Sequence, residues 1–576
     1  MPSQSKSFFA PMRLKAQSNR NMFDRSFKHS STAALGLLLP CGSWRVNAND
    51  YIEIDNNVQV VSPALARPAF ARLKHHVDYF FVPYVQLYMP FDNLITGQNR
   101  FISSAVADIN RPAAGGVPQV ANSVPMMAPD FLHQVLVSLA GQNDLLGYDK
   151  QDNAIRLLDL LGYGDYRSFA IDSGTDMEEI GFQNLPDLNP FNLLAYQKIY
   201  FDYYSNRSYE SFNPQACNMD KIAAGTRLSH QDINPAQGET YLHWFDLHYR
   251  WLRDDYFTSV LPNTLPSQSA IGFEGLSFAF DGSAANFQIP GFNNSLQLNS
   301  VSTPNPGLTV MQYSGNSNNN ITAIRFGFAY DKFMRRSRYA GQDYDKQMLA
   351  HFGIAPYDGR HGDVVHLGEF VTRVNIDTVT DTTSPNLGNM GAQINAYRQS
   401  NHTIKYHVKE PGIVMAIQSF SVDNEYQSNR IDRSNTACTR FDWYFPAFEN
   451  LGLQPIFKFE LQSNDHEVVS NALKSVMGYQ KRYAEYKTHV DETHGLLNRF
   501  HETAVDKSAW VATYELINGG SRTTALNQRD LVLDPSFFDQ ISNLAYDSSQ
   551  NNDPFISVMY HRFKCISNMS VNGEFF

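Results

Sequence analysis

The segment GYQKRYAEYKTHVDETHG, residues 478–495, sets two histidines beside two carboxylates, a combination found at metal sites and in acid–base catalysis. On an α-helix, His489 and His494 would lie roughly 140° apart around the axis. The H-E-x-x-H pattern of zinc proteases instead spaces its histidines four residues apart, so that both face one metal. The spacing therefore argues against a metal site, and we predict solvated or interface histidines.

The other candidates for catalysis are equally isolated. Single histidines stand beside carboxylates in NDHEV, RHGDVVH and KHHVD, while Asp254 and Asp255 are sequence neighbours whose side chains point in different directions. The patterns G-x-x-x-x-G-K-[ST], G-x-G-x-x-G and G-x-S-x-G do not occur. We therefore predict a protein that is not an enzyme, with no catalytic residues, no metal and no cofactor.

The tyrosines of the opening segment indicate a different role. They alternate with basic residues, Tyr479, Tyr483 and Tyr486 with Lys481, Arg482 and Lys487. Rings can be buried at a contact while the cations stay hydrated, which is typical of protein–protein interfaces. A second set recurs at helical spacing and consists of Tyr196, Tyr200 and Tyr203. We predict that both sets lie at contacts between subunits.

Alternating apolar and polar residues predict a β-scaffold at both ends of the chain. From Trp44 to Val60 the apolar residues fall on even positions, the signature of strands with one buried face. Further β-branched and aromatic runs occupy residues 75–90, 412–423, 454–462 and 553–571.

Helical patterns lie between these strands. Residues 153–165 predict a short helix that ends at Gly162, and residues 187–207 predict a helix with Asn189 as N-cap. Residues 323–353 predict two helices, which end near Gly341 and at Gly353. Strands at both ends with helices between them indicate one scaffold that carries long insertions.

The composition is consistent with a β-rich protein that makes extensive contacts. Aromatic residues make up 13% of the 576 residues and charged residues only 18%. The four cysteines lie far apart, and the N-terminus lacks the pattern of a signal peptide. No apolar run is long enough to span a bilayer. We expect a soluble protein of a reducing compartment, without membrane insertion.

Residues 1–30 form a basic arm in front of an acidic body. The arm contains six basic residues and one acidic residue, although the whole chain carries a net charge of −11. Such an arm could contact polyphosphate, or it could be a solvated terminus. The candidates for nucleic-acid contact are Lys6, Arg13, Lys15, Arg20, Arg25 and Lys28. For a second basic cluster, Arg335–Arg338, we favour pairing with neighbouring aspartates over contact with nucleic acid.

Several stretches, taken in order, carry a family resemblance. They include MFDRSFKHSSTAALGLLLPC, HHVDYFFVPYVQLYMPFDNLITG, YRWLRDDYFTSVLPNTLPSQ, FDWYFPAFENLGLQPIFKFEL and DPFISVMYHRFKCISNMSVNG. Together with the opening segment they span nearly the whole chain. The sequence resembles the major capsid proteins of the Microviridae, icosahedral bacteriophages with single-stranded DNA, in a divergent, gokushovirus-like or related branch.

The resemblance implies a mainly β fold, an eight-stranded antiparallel jelly-roll barrel with long helix- and loop-containing insertions. Residues 31–576 would form a single capsid domain built from both ends of the chain, with insertions over about 91–400 and a variable surface excursion at 263–322. Sixty copies would assemble through pentamers into a T=1 shell in the host bacterial cytoplasm. The expected partners are other copies, the single-stranded DNA genome through its phosphates, other virion proteins and a bacterial surface receptor.

Two other functions remain open from the residues alone. An extracellular carbohydrate-binding or hydrolytic β-sandwich would account for the aromatic content, although it would require secretion. A cellular single-stranded nucleic-acid-binding protein would account for the basic arm, although the acidic body disfavours it.

Overall fold

A computed structural model of the protein describes twenty-two stretches of the chain. They are residues 20–63, 65, 72–96, 124–167, 184–211, 213–233, 239–262, 285–288, 295–298, 332–333, 336–337, 344–353, 362–380, 390–399, 402–427, 430–440, 442–449, 453–461, 475–494, 526–540, 546 and 553–569.

The strands cluster at the two ends of the chain, as the alternation predicts. They are β1 Asn21–Asp24, β2 Phe27–Ala33, β3 Leu39–Val46, β4 Tyr51–Val61, β5 Leu73–Pro83, β6 Met126–Met127, β7 Arg227–Leu228, β8 Ala285–Gln288, β9 Ser295–Leu298, β10 Val365–Val374, β11 Ile376–Thr380, β12 Met390–Arg398, β13 Ile404–His407, β14 Gly412–Val422, β15 Tyr426–Gln427, β16 Leu453–Phe457, β17 Val476–Lys481, β18 Glu492–Thr493 and β19 Phe555–Ser567.

The α-helices lie in the connections between strands. They are α1 Tyr84–Leu87, α2 Phe91–Thr96, α3 Pro129–Leu139, α4 Lys150–Leu160, α5 Phe191–Ile199, α6 Glu239–Leu242, α7 Tyr344–Phe352, α8 Lys458–Leu461 and α9 Gln528–Leu531. A π-helical turn, Tyr200–Tyr204, extends α5 directly. Short 3₁₀ turns include Pro446–Phe448 and Ala484–Tyr486.

Two antiparallel sheets form the scaffold. The large sheet has the order β1-β19-β4-β12-β11, with β2 paired to β19 and β13 paired to β4. The small sheet has the order β10-β5-β14-β3. Both sheets therefore combine strands from the two ends of the chain, and the C-terminal strand β19 lies between strands that come from the N-terminal region.

The inner faces of the two sheets pack against each other through aromatic rings. Trp44 of the small sheet stacks on Phe563 of the large sheet with ring centroids 4.6 Å apart, and Phe420 stacks on Phe555 at 4.3 Å. The even-numbered residues from Trp44 to Val60 that the sequence assigns to the core are buried. Burial of these rings supplies the hydrophobic contribution that holds the two sheets together.

A layer of insertions covers the outer face of the small sheet. The Tyr204 hydroxyl donates a hydrogen bond to Asp78 of β5 at 2.7 Å, and Tyr203 packs edge-on against Phe80. Helix α4 is tied to the start of β19 by a buried ion pair, in which two Arg156 nitrogens lie 2.6 and 3.2 Å from the Asp553 carboxylate. The insertions therefore pack on the outer face of the small sheet and also contact the large sheet where β19 begins.

The element boundaries differ from the sequence prediction in three places. The strand expected over 75–90 ends at Pro83, where α1 begins. The strand expected over 454–462 ends at Phe457 and continues as α8. Pro190, not Asn189, is the N-cap of α5.

Other boundaries agree with the sequence prediction. Gly162 follows the end of α4 with φ +80°, and Gly353 follows the end of α7 with φ +73°. Within the excursion 263–322, the described residues form only the antiparallel pair β8 and β9. Most of the first helix predicted between 323 and 341 lies outside the described residues.

Candidate subunit-contact and nucleic-acid surfaces

The opening segment folds as a strand followed by a tight turn. Strand β17 pairs with β16, and the chain then turns at Tyr483, whose φ is +60°. The Tyr483 N–H donates to Gln454 Oε1 at 3.0 Å, and its hydroxyl donates to the carbonyl oxygen of Trp443 at 3.1 Å. The buried Tyr483 ring therefore anchors a neighbouring loop at 443–445.

That loop and the turn together expose four aromatic side chains. The exposed fractions are 54% for Trp443, 43% for Tyr444, 38% for Phe445 and 57% for Tyr486. The Tyr444 ring lies 5.2 Å from Tyr483 and 6.2 Å from Tyr486. We call these four residues the aromatic ridge. Grouped aromatic exposure of this kind marks an interaction surface, because isolated monomers rarely display it.

Charged groups flank the aromatic ridge. The Lys487 ammonium lies 3.2 Å from Glu449, and the Arg440 guanidinium lies 5.9 Å from the centre of the Phe445 ring. Arg482 lies over the ring of Tyr483 at 4.9 Å. An apolar centre with a charged rim is the usual anatomy of a protein–protein contact.

The two histidines of this segment do not share a site. His489 is exposed and its Nδ1 accepts the N–H of Val490, whereas His494 Nε2 lies 3.1 Å from Glu492. Across the part of the chain that the structure describes, no group of three or more His, Cys, Asp or Glu side chains is arranged to hold a metal.

The second tyrosine set lies mainly inside the chain. Tyr196 is buried and donates to the carbonyl oxygen of Leu38 at 2.9 Å, and Tyr200 is buried and stacks on His248 at 3.6 Å. Tyr203 is 45% exposed and stacks on His366 at 4.7 Å. Of this set, only Tyr203 offers a large surface to another chain.

One cluster on the small sheet has the side-chain order of a serine hydrolase. Ser421 Oγ lies 2.7 Å from His76 Nε2, and His76 Nδ1 contacts Glu369. Each residue lies on a different strand of the small sheet, and these strands are neighbours, with Ser421 paired to Lys74 of β5 and Glu369 paired to Asp78 of β5. Side chains on neighbouring strands commonly form such cross-strand hydrogen bonds. We interpret the cluster as a structural hydrogen-bond network.

A second polar network crosses the interior between the two sheets. His561 Nδ1 accepts from the Tyr79 hydroxyl at 2.7 Å, and His75 Nε2 lies 3.3 Å from Gln418 Oε1. Burial lowers the pKa of His75 to about 3 and the pKa of His561 to about 3, because a charged imidazole would lose its hydration there. Both side chains are therefore neutral at physiological pH.

A cavity of about 200 Å³ lies among the insertions, beside the stacked Tyr200 and His248. Glu210 lines it and accepts from the Tyr200 hydroxyl at 2.7 Å. Burial raises the pKa of Glu210 to about 7, because the carboxylate is poorly hydrated. Asp144 accepts hydrogen bonds from Asn153 and Tyr249, and Asp246 is hydrogen-bonded to His243, so we interpret the cavity as part of the internal packing.

The basic arm joins the scaffold at the edge of the large sheet. Arg20 is exposed and donates to Asn49 at 2.9 Å, and Arg25 donates to the carbonyl oxygen of Arg45 at 2.6 Å. Lys28 is exposed on β2. The remaining predicted contacts, Lys6, Arg13 and Lys15, lie outside the described residues.

The remaining sequence expectations concern thiols and membranes. Cys41, Cys217, Cys438 and Cys565 are all unpaired. Among the helices within the described ranges, none is both long and apolar enough to cross a membrane.

The described part of the chain consists of two packed antiparallel sheets with a layer of insertions. It also exposes the aromatic ridge. These features favour a structural protein that contacts other chains. Residues 183–571, more than half of the chain, match the family described as Capsid protein (F protein), and the chain belongs to this family. It is also 22% identical over 613 residues to "Capsid protein VP1" of Chlamydia phage 1, with 99% of this chain and 98% of that protein covered.

The chain is thus a capsid protein of the Microviridae type and a structural component of the virion, not an enzyme. The resemblance read from the sequence is confirmed. The sequence signal for the family was the order of several matching stretches along the chain, and not a catalytic or metal-binding motif.

Proposed function

We propose that this protein forms a closed shell around a single-stranded DNA genome by binding other copies of itself through the aromatic ridge. The observation that carries this proposal is the grouped exposure of Trp443, Tyr444, Phe445 and Tyr486 on one loop and the adjoining turn. Repeated copies of one modest contact sum to a stable closed particle. We expect sixty copies, arranged as pentamers in a T=1 shell.

The strand order supports an eight-stranded jelly roll as the finer fold. The chain changes sheets repeatedly: β3 lies in the small sheet, β4 in the large, β5 and β10 in the small, β11, β12 and β13 in the large, β14 in the small and β19 in the large. The pairing of β14 with both β3 and β5 brings strands from distant parts of the sequence together. Pairing of this kind is typical of the Greek-key connections from which jelly rolls are built, which supports the proposed fold.

The ridge is tested by removing rings without disturbing its anchor. The variant Trp443→Ala with Tyr486→Ala leaves the buried Tyr483 in place and should reduce shell formation while the subunit stays folded. Electron microscopy measures the shells and circular dichroism measures the fold. The matched control is Tyr51→Ala, a half-buried tyrosine on the large sheet, distant in sequence from the ridge. Normal shells from the ridge variant would contradict the proposal.

The basic arm supplies the contact with DNA phosphates in this proposal. Replacing Lys6, Arg13 and Lys15 by glutamine in one triple variant should lower the DNA content of the particles. The number of shells should fall less than the DNA content does. Contacts of this kind are nonspecific and weaken as salt increases. Measuring encapsidated DNA at two salt concentrations during assembly checks both expectations. Other virion proteins and a bacterial surface receptor complete the expected partners.

A further inference from the structure

Among the described residues, the outer face of the large sheet is left uncovered, in contrast to that of the small sheet. Tyr397 on β12 is 68% exposed and Tyr560 on β19 is 42% exposed. The small sheet is instead covered by α5, the π-helical turn and Arg250, whose guanidinium donates to Ser419 at 2.8 Å. The scaffold thus has one side occupied by insertions and one side open.

Strand register brings polar and aromatic side chains together on this open face. Tyr560 pairs with Lys28 on one side and with Asn57 on the other. Val558, two residues before it, pairs with Ser30 and with Gln59, and Gln59 is in turn paired with Tyr397. Because residues two apart in a strand point to the same side, these rows form one continuous surface.

The charges on this face favour an anionic partner at one end. Two acids of the neighbouring rows are already neutralised, Asp55 by Arg562 at 3.4 Å and Glu53 by Lys405 at 3.2 Å. Lys28 stands beside Tyr560, whose neighbour on the other side is the amide residue Asn57. Two flat exposed rings, amides and a cation are the chemistry that binds single-stranded nucleic acid, because bases stack on rings and phosphates contact cations.

We propose that the open face of the large sheet is a platform on which bases of single-stranded DNA stack, with Tyr397 and Tyr560 as the stacking residues and Lys28 as a phosphate contact. A further observation supports DNA over a second copy of the chain: the basic arm joins the scaffold at β1 and β2, on the edge of this same sheet. This inference rests on the proposed function, in which the shell encloses such a genome.

The test separates DNA binding from assembly. Binding of a fluorescein-labelled twenty-nucleotide oligo-dT to the purified full chain should weaken about tenfold for Tyr397→Ala and for Tyr560→Ala, since one stacked base contributes about that factor. Tyr397→Phe and Tyr560→Phe keep a flat ring and should bind like the parent chain. Tyr486→Ala, on the aromatic ridge, is the matched control and should affect shells but not oligonucleotide binding.

Each outcome decides the matter. Unchanged oligo-dT binding by both alanine variants would overturn the platform, even if shells form normally and the proposed function stands. Loss of shells with unchanged DNA binding would instead make the face a contact between copies. If an alanine variant does not fold, ultraviolet cross-linking of parent particles replaces it. Adducts between DNA and the peptides carrying Tyr397 or Tyr560 support the platform, and their absence overturns it.

Discussion

The two neutral histidines between the sheets make the fold sensitive to acid. His75 and His561 are both buried, and the charged groups that act on them are other histidines and Arg398, which further disfavour protonation. We consider the double variant His75→Gln with His561→Asn. The glutamine amide retains a donor toward Gln418, and the asparagine oxygen retains an acceptor for the Tyr79 hydroxyl, so both hydrogen bonds are preserved without a titratable ring.

The magnitude follows from the pKa difference between the folded and unfolded chains. Each imidazole has a folded pKa of about 3 and an unfolded pKa of about 6.5. Because the folded pKa is the lower one, the unfolded chain binds protons first as the pH falls below 6.5, and stability decreases. Between pH 7.5 and pH 5 the loss is about 2 kcal/mol per histidine, or about 4 kcal/mol for both.

The assay is urea unfolding of the parent chain and of the double variant at pH 7.5 and pH 5. The pH dependence of the parent chain alone does not give the contribution of the two histidines. The raised pKa of Glu210 makes its own contribution to stability change with pH in the opposite direction. On going from pH 7.5 to pH 5, the free energy of unfolding of the variant should therefore rise by about 4 kcal/mol relative to that of the parent. Replacement of the exposed His407 by Asn serves as the control for removing a histidine outside the core. If the parent and the double variant differ in free energy of unfolding by the same amount at both pH values, the reasoning is refuted.

Three further predictions follow from individual contacts. Asp553→Asn leaves the buried Arg156 without its counter-ion and should lower the free energy of unfolding by about 3–5 kcal/mol in urea titrations. Gly36→Ala forces a Cβ to within 2.5 Å of Leu533 at a φ of +77°, so its melting temperature should fall well below that of Gly162→Ala, where φ is +80° and the space is empty. Between pH 5 and pH 8 the parent carboxylate of Glu210 ionises in the folded state and the parent chain loses stability, because burial raises its pKa to about 7. Glu210→Gln should therefore become more stable relative to the parent by about 2 kcal/mol over that range, as measured by paired thermal melts.

Local patterning explains which strands the sequence could predict. Strand β4 alternates buried and half-buried residues because one of its faces is open, so its period of two is visible in the sequence. Strand β14 is buried on both faces, with the other sheet on one side and insertions on the other, and only its β-branched and aromatic composition predicts it. The breaks after Pro83 and Phe457 depend on tertiary packing, which overrides local propensity.

The contact surfaces were harder to predict, because periodicity shows which residues share a face but not what covers that face. Tyr196 and Tyr200 do form an aromatic stripe, yet this chain's own Leu38 and His248 contact it. The aromatic ridge depends on loop 443–445, which meets Tyr486 only through tertiary structure. Its available sequence signal was the run DWYFPAF, where consecutive aromatic residues stand in a segment without strand alternation.

Strand β19 has a consequence for the order of events during synthesis. It is synthesised after all the other described strands, yet β1 and β2 pair only with it among those strands, and β4 has it as one of its neighbours. A nascent chain therefore holds unpaired strands until β19 has been synthesised. A chain that stops before β19 leaves the edges of β1, β2 and β4 unpaired, and such edges favour aggregation.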